Sequence, residues 1–225
     1  MTWTRFGLPL ILTLLLCPPL ARAQNSGVVQ STEPAWEIEP YIGVARDSPA
    51  GTHLGMTAGY DHFFLAAHLT GTILRWQRLT IAYAPEVVPL LMVSGHPTFE
   101  IPESGLLLVP GSPPSFPQGI RRVAGIGGSP VGFEGRVRVA SRVRLYTATA
   151  AGLIMFARPA PLPDSRRLNY TFEVSGGGEL LVHRGWWLRV GYKFHHFSNG
   201  NSAPDNPGVD AKVVMIGIAH RLGRN

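Results

Sequence analysis

Cysteine is almost missing from this chain: the only one among 225 residues is Cys17. With no second thiol, no disulfide can form within the chain. Long hydrophobic runs are scarce too. After residue 23 no segment offers about eighteen uncharged apolar residues, which excludes a membrane-spanning helix there. Charge is thin as well. Asp, Glu, Lys and Arg make up 15% of the residues, against about 25% in an ordinary soluble domain. The net charge is +6, but no basic helix and no RNA-binding motif accompanies it, so nucleic acid is not an expected partner. No pair of histidines stands at metal-ligand spacing with an acid nearby, and no cofactor motif is present. A surface dense in phosphate, such as lipopolysaccharide, suits scattered arginines better, because the guanidinium fork pairs with phosphate.

What is present begins with an export signal. Arg5, the apolar run Gly7 to Leu16 and Ala21-Arg22-Ala23 form the charged, apolar and small-residue parts of a signal peptide over 1–23. Pro18-Pro19 and the shortness of the run argue against a membrane anchor. Residues 24–35 read as a polar leader.

From Trp36 the chain alternates. Trp36, Ile38, Ile42 and Val44 oppose Glu37 and Glu39 in a first strand, Trp36 to Arg46. His62 to Leu74 and Leu79 to Val88 are candidate second and third strands. Pro85 and Pro89 confine the third strand's end to an edge or bulge. A fourth strand runs from Pro130 to the turn at Ser141-Arg142, with Phe133, Val137 and Val139 opposite Glu134, Arg136 and Arg138. Val143 to Phe156, Tyr170 to Val182, Trp186 to Ser198 and Val209 to Leu222 complete eight. Longer connections, at 47–60, 93–119, 158–167 and 200–208, alternate with short ones. Membrane barrels have this arrangement, with long loops outside and short turns in the periplasm.

Low charge, 26 glycines and period-two alternation therefore predict an all-β fold: an eight-stranded antiparallel transmembrane β-barrel over 36–225, in the outer membrane. Glu37, Glu39, Glu134, Glu173 and Glu179 share a face with Arg136, Arg138 and Arg189. In so narrow a barrel they neutralise one another and fill the lumen, leaving no pore. A soluble β-sandwich or lipocalin-like barrel fits the same alternation with its faces exchanged. Nothing in the sequence opposes a homodimer.

Chemistry concentrates in WWLRVGYKFHHFSNGNSAPDNPGVD, Trp186 to Asp210. Alternate strand residues share a face, so His196 and Ser198 project together at the end of the apolar stripe Trp186, Leu188, Val190, Tyr192 and Phe194. Serine needs a base to take its proton, and the base needs an acid on its other nitrogen. Asp210 opens the next strand, on the same face as Val214 and Ile216 and within cross-strand reach of His196. Asn199, Asn206 and the amides near Gly200 and Asn201 are candidate donors to an oxyanion. A solvated strand end followed by an ordinary Asn-Gly turn has the same residues. His195 should face the lumen. His62, His68 and His220 stand isolated on strand faces, and His53 and His96 lie in loops.

The run YKFHHFSNGNSAPDNPGVD resembles the signature of the PagL lipid A 3-O-deacylase family, also labelled acyloxyacyl hydrolases. That signature is H-x-S-N, a polar loop with N-x-G, and an acid twelve positions after the serine. Here these are His196, Ser198, Asn199, Asn206, Gly208 and Asp210. Upstream, VGFEGRVRV, FARPAP and LNYTFEVSGGGE resemble members of the group less specifically. The resemblance implies a metal-free serine esterase acting on lipid A in the outer leaflet. Ser198 would be nucleophile, His196 base and Asp210 orienting acid, and Asn206 with the 199–201 amides would hold the oxyanion. The best-known members have Glu where Asp210 stands; Asp is one methylene shorter, which requires a tighter register. A barrel of the same fold with a structural or adhesive role and no catalysis is the alternative.

Overall fold

Period-two alternation with few charges becomes, in the computed structural model, a closed antiparallel sheet. The structure describes residues 36–49, 54–55, 57–99, 122–162, 164–204, 206 and 208–222. The signal, the leader and most of the 93–119 loop lie outside the described residues. Nine strands follow in order: β1 (Trp36–Ala45), β2 (Thr57–Trp76), β3 (Leu79–Tyr83), β4 (Glu86–Phe99), β5 (Arg122–Ala140), β6 (Val143–Phe156), β7 (Leu168–His183), β8 (Trp186–Ser198) and β9 (Val209–Leu222). Every sequential neighbour from β5 to β9 pairs antiparallel, and β1 pairs with both β2 and β9, which closes the ring. The β3 and β4 strands lie end to end between β2 and β5, so the barrel has eight staves.

The sequence shows the third stave as one strand, Leu79 to Val88; the structure divides it at Ala84-Pro85. Proline has no N–H to give the ladder, yet its carbonyl serves: Leu69 N donates to Pro85 O at 3.0 Å, and Ala84 N donates to Gly132 O at 2.8 Å. The pairing shifts between Val88 and Leu91, around Pro89, as a proline-tolerant bulge requires. Two further corrections concern the stretch expected to be irregular. The β4 strand continues through Pro97 to Phe99, and β5 begins at Arg122 rather than Pro130. The start of β5 is masked in the sequence because Gly125, Gly127 and Gly128 have no side chains with which to mark a period. They are needed for closeness: a Cβ on Gly127 would lie 2.2 Å from Leu153 O of β6.

Polarity is inverted relative to a soluble sheet. Ile42, Val44, Leu145, Val174, Val190, Val214 and Ile216 are exposed on the exterior. Such a continuous apolar band is costly in water and matched to hydrocarbon. Inside, toward the short-turn end, Arg189 pairs with Glu39, Glu134 and Glu179 and stacks on Tyr146, its guanidinium carbon 3.5 Å from the ring centroid. Gly191 makes room for that tyrosine, since a Cβ there would fall 1.8 Å from its hydroxyl. Arg136 bonds Glu37 and Glu134. Lys193 Nζ reaches Glu173 at 2.5 Å and Glu86 at 2.6 Å. His68 is not isolated, as the sequence suggested: its Nε2 lies 2.6 Å from Glu86. The other lumen half is aromatic and apolar, with Tyr60, Phe64, Phe156 and Phe197 buried together. Buried charges tolerate such a site only when paired, and here the pairing spans the barrel.

Candidate active site

The β8 strand positions two of the candidate residues by its pleat alone. Its burial alternates through Phe197, which is buried in the lumen, while His196 and Ser198 lie on the outer face and are half-buried. In register, His196 faces Asp210 on β9 and Phe172 on β7, and Ser198 faces Tyr170 on β7. The cross-strand pair closes to a bond: His196 Nδ1 is 2.6 Å from Asp210 Oδ1. With Nδ1 engaged, Nε2 is the ring nitrogen left for a proton transfer. Among the described residues Ser198 Oγ has no hydrogen-bond partner.

Asp210 shares the outward face of β9 yet is fully buried. The reason lies in the first stave. The β1 strand ends at Ala45, and its last pair with β9 is Val44 with Val214, so the start of β9 protrudes past it. The entry to β2 fills that gap. Thr57 pairs with Val209, and Thr57 N donates to Gly208 O at 3.3 Å. Gly55 N donates to Asp210 Oδ2 at 3.1 Å. A Cβ on Gly55 would come 2.9 Å from Asp210 Cγ, so only glycine brings its amide this close. Gly55 was not legible in the sequence, being 155 positions from its partner and inside a stretch that reads as loop. The carboxylate thus accepts from the imidazole through one oxygen and from a backbone amide through the other, shielded from solvent.

The β8–β9 loop is built by its asparagines and glycines. Gly200 and Asn201 have φ of 61° and 59°, and Ser202 N donates to Asn199 O at 3.2 Å. Two positive φ values inside an i to i+3 bond make a primed turn. Asn199 N donates to Asn206 Oδ1 at 2.8 Å, and Asn206 Nδ2 donates to Asn201 Oδ1 at 3.0 Å. The Asn199 amide and the Asn206 side chain therefore latch the loop in this structure. The Asn199 side chain is buried. Gly208, φ 60°, lies flat against the imidazole; a Cβ there would be 3.0 Å from His196 Cε1.

The remaining histidines are placed as follows. His195 is buried in the lumen, 4.0 Å from Glu173. His62 lies in the aromatic half beside Phe64, Phe197 and His195, and His220 stacks on Trp186 at 4.2 Å; neither is isolated. His96 falls in β4 rather than in a loop, and His53 lies outside the described residues. Beside the site, an open groove of about 770 Å³ is lined by Met155, Leu168, Tyr170, Arg166, Arg167 and Ser202 among others. Arg166 Nε donates to Ser202 O at 2.9 Å, and Arg167 Nε donates to Phe156 O at 3.0 Å.

No curated protein matches the sequence. Among solved structures, the crystal structure of the outer membrane enzyme PagL superposes with a TM-score of 0.53 at 11% identity, covering 80% of this chain and 97% of that one. The crystal structure of Neisserial surface protein A (NspA) gives 0.50 at 12% identity, over 83% of this chain and 97% of that one. At such identities these likenesses establish the fold, an outer-membrane eight-stranded barrel. Sequence says more over one region: residues 119–219, which include β6 to β8 and both partners of the 2.6 Å bond, match the family of the lipid A 3-O-deacylases (PagL).

Proposed function

We propose that this barrel is an outer-membrane serine esterase that hydrolyses an ester-linked fatty acyl chain of lipid A in the outer leaflet. The observation that carries the proposal is the His196–Asp210 bond on the lipid-facing side, with Ser198 two residues along the same face. Asp210 fixes the imidazole with its Nδ1 proton toward the carboxylate, so Nε2 is the basic nitrogen. In the first step Nε2 takes the Ser198 proton as Oγ bonds the acyl carbonyl carbon. The ester C–O bond then breaks, and the imidazolium returns its proton to the departing sugar hydroxyl. Water, deprotonated in turn by His196, attacks the acyl-serine; the acyl carbon–Oγ bond breaks, the imidazolium returns the proton to Ser198 Oγ, and the fatty acid is released. The mechanism requires Ser198 Oγ to come within hydrogen-bond reach of Nε2 when substrate is bound; such contacts commonly tighten only in the complex. Gly200 N–H and the second amide hydrogen of Asn206 are the candidate donors to the developing oxyanion, with Asn199 and Gly208 supporting the loop.

The groove of Met155, Leu168 and Tyr170 suits the acyl chain, and Arg166 and Arg167 at its edge suit lipid A phosphates. The test is a mass spectrum of lipid A from cells with and without the protein. We expect loss of one acyl mass with the wild type and none with Ser198→Ala, the variant remaining a heat-modifiable barrel. Unaltered lipid A with the wild type would favour a non-catalytic barrel with a structural or adhesive role. Activity retained by Ser198→Ala would remove that serine from the mechanism.

A further inference from the structure

The end of the barrel opposite the site holds an unexplained concentration of arginine. A cavity of about 240 Å³ opens at the short-turn end, lined by Glu37, Thr72, Arg75, Gln77, Arg78, Thr80, Arg136, Arg138 and Arg144. Five guanidinium groups and one carboxylate line it; the two arginines on the floor are paired with Glu37, Glu134 and Glu179, and three at the rim are not, among the described residues. Long loops lie outside and short turns lie in the periplasm, so this mouth is periplasmic.

Two of the arginines form the floor, and both are fixed. Arg136 is 5% exposed and bonds Glu134 through Nε and Glu37 through Nη1. Arg144 is 9% exposed. Its Nε donates to Glu179 at 2.5 Å, its Nη1 donates to Glu37 at 3.4 Å, and its guanidinium lies 3.6 Å over the Trp187 ring. On each of them Nη2 is buried without a hydrogen-bond partner among the described residues. A buried cationic N–H left unmade is costly, so the floor carries donor capacity that its own carboxylates do not use. The rim adds Arg75, Arg78 and Arg138, which are exposed and form no ion pair among the described residues. Arg78 and Arg138 are held side by side, since Arg138 N donates to Arg78 O at 2.9 Å. The Thr72 and Thr80 residues contribute hydroxyl donors to the same walls.

We infer that this mouth is a binding site for a phosphate-class oxyanion presented from the periplasmic side. A single carboxylate would leave most of the surplus positive charge uncompensated. A phosphate dianion answers more of it and offers oxygens to several forks at once. The same chemistry comes from free phosphate or from the headgroup of an inner-leaflet phospholipid.

Calorimetric titration of the full-length barrel in a maltoside micelle with inorganic phosphate, at constant ionic strength, tests the inference. We expect saturable binding that weakens about tenfold or more in Arg78→Gln/Arg138→Gln. These two exposed side chains carry no fold-holding ion pair; Arg75→Gln gives a second, independent variant. Repeating the titration in nanodiscs containing phosphatidylglycerol separates the sources. Undiminished phosphate binding there identifies a soluble ligand, and its loss, with a shifted headgroup phosphorus resonance, identifies the lipid. No saturable binding below about ten millimolar in either medium, or equal affinity in the variants, overturns the inference.

Discussion

Replacing Asp210 by Glu lengthens the acid by one methylene, about 1.5 Å of chain, and restores the residue found in the best-known lipid A 3-O-deacylases. We expect it to slow the proposed deacylation. Asp210 is held at both ends of its carboxylate: Oδ1 lies 2.6 Å from His196 Nδ1 and Oδ2 lies 3.1 Å from Gly55 N. Gly55 already packs so closely that a Cβ on it would be 2.9 Å from Asp210 Cγ. A longer side chain in this pocket must push the imidazole outward or lift the β2 entry. Overpacking of this kind costs about 1–3 kcal/mol of stability, and displacing a reacting group by about 1 Å costs on the order of 10²-fold in rate. Asp210→Asn keeps the shape but not the charge, and on the proposed mechanism should lose on the order of 10⁴-fold, the loss seen when a Ser-His-Asp triad's acid becomes Asn. The assay is the initial rate of fatty-acid release from lipid A in mixed micelles, normalised to the heat-modifiable, folded fraction. A Glu variant as fast as the wild type would refute the reasoning, since it would mean that the pocket has slack.

Other substitutions probe the same frame. Gly55→Ala should lower the deacylation rate about tenfold or more through Asp210 while leaving the barrel folded; unchanged rates would show that the backbone amide is dispensable. Arg189→Met removes the cation shared by Glu39, Glu134 and Glu179 and strands buried carboxylates, at a cost of about 3–5 kcal/mol. Urea-dependent unfolding in lipid vesicles, followed by electrophoretic mobility, reads that loss. Val214→Arg puts a charge on the exposed apolar band and should cost about 2–4 kcal/mol in lipid vesicles. Unchanged stability of the variant in vesicles would contradict a lipid-facing exterior.

Strand periodicity carries the legible part of this protein. The two faces of β8, the lumenal set of Glu and Arg, and the nearness of Asp210 to His196 all follow from a period of two and one hairpin. Periodicity assigns a face but not a partner, so the sequence left His68 isolated although it bonds Glu86 in the structure. It fails where side chains vanish, as in the glycine run of β5, and where proline suggests a break that bulges absorb, as in β4. It is silent on contacts between segments remote in the chain. Gly55 belongs to this last class: no local pattern distinguishes it from any other loop glycine, and only closure of the barrel brings it to the carboxylate. Sequence likewise does not show that Asn206 stitches the β8–β9 loop together, accepting from Asn199 N and donating to Asn201.

The lumen is stoppered from wall to wall by Arg189, Lys193 and their carboxylates on one side and by aromatic rings on the other. Among the described residues these side chains occupy the lumen of the barrel rather than line an open channel. Whatever its outer flank meets must arrive by drifting within the plane of the leaflet, and whatever it sheds must leave the same way. Encounter frequency is then governed by molecules per unit area, so diluting the target with bystander lipid should slow turnover even at constant bulk concentration.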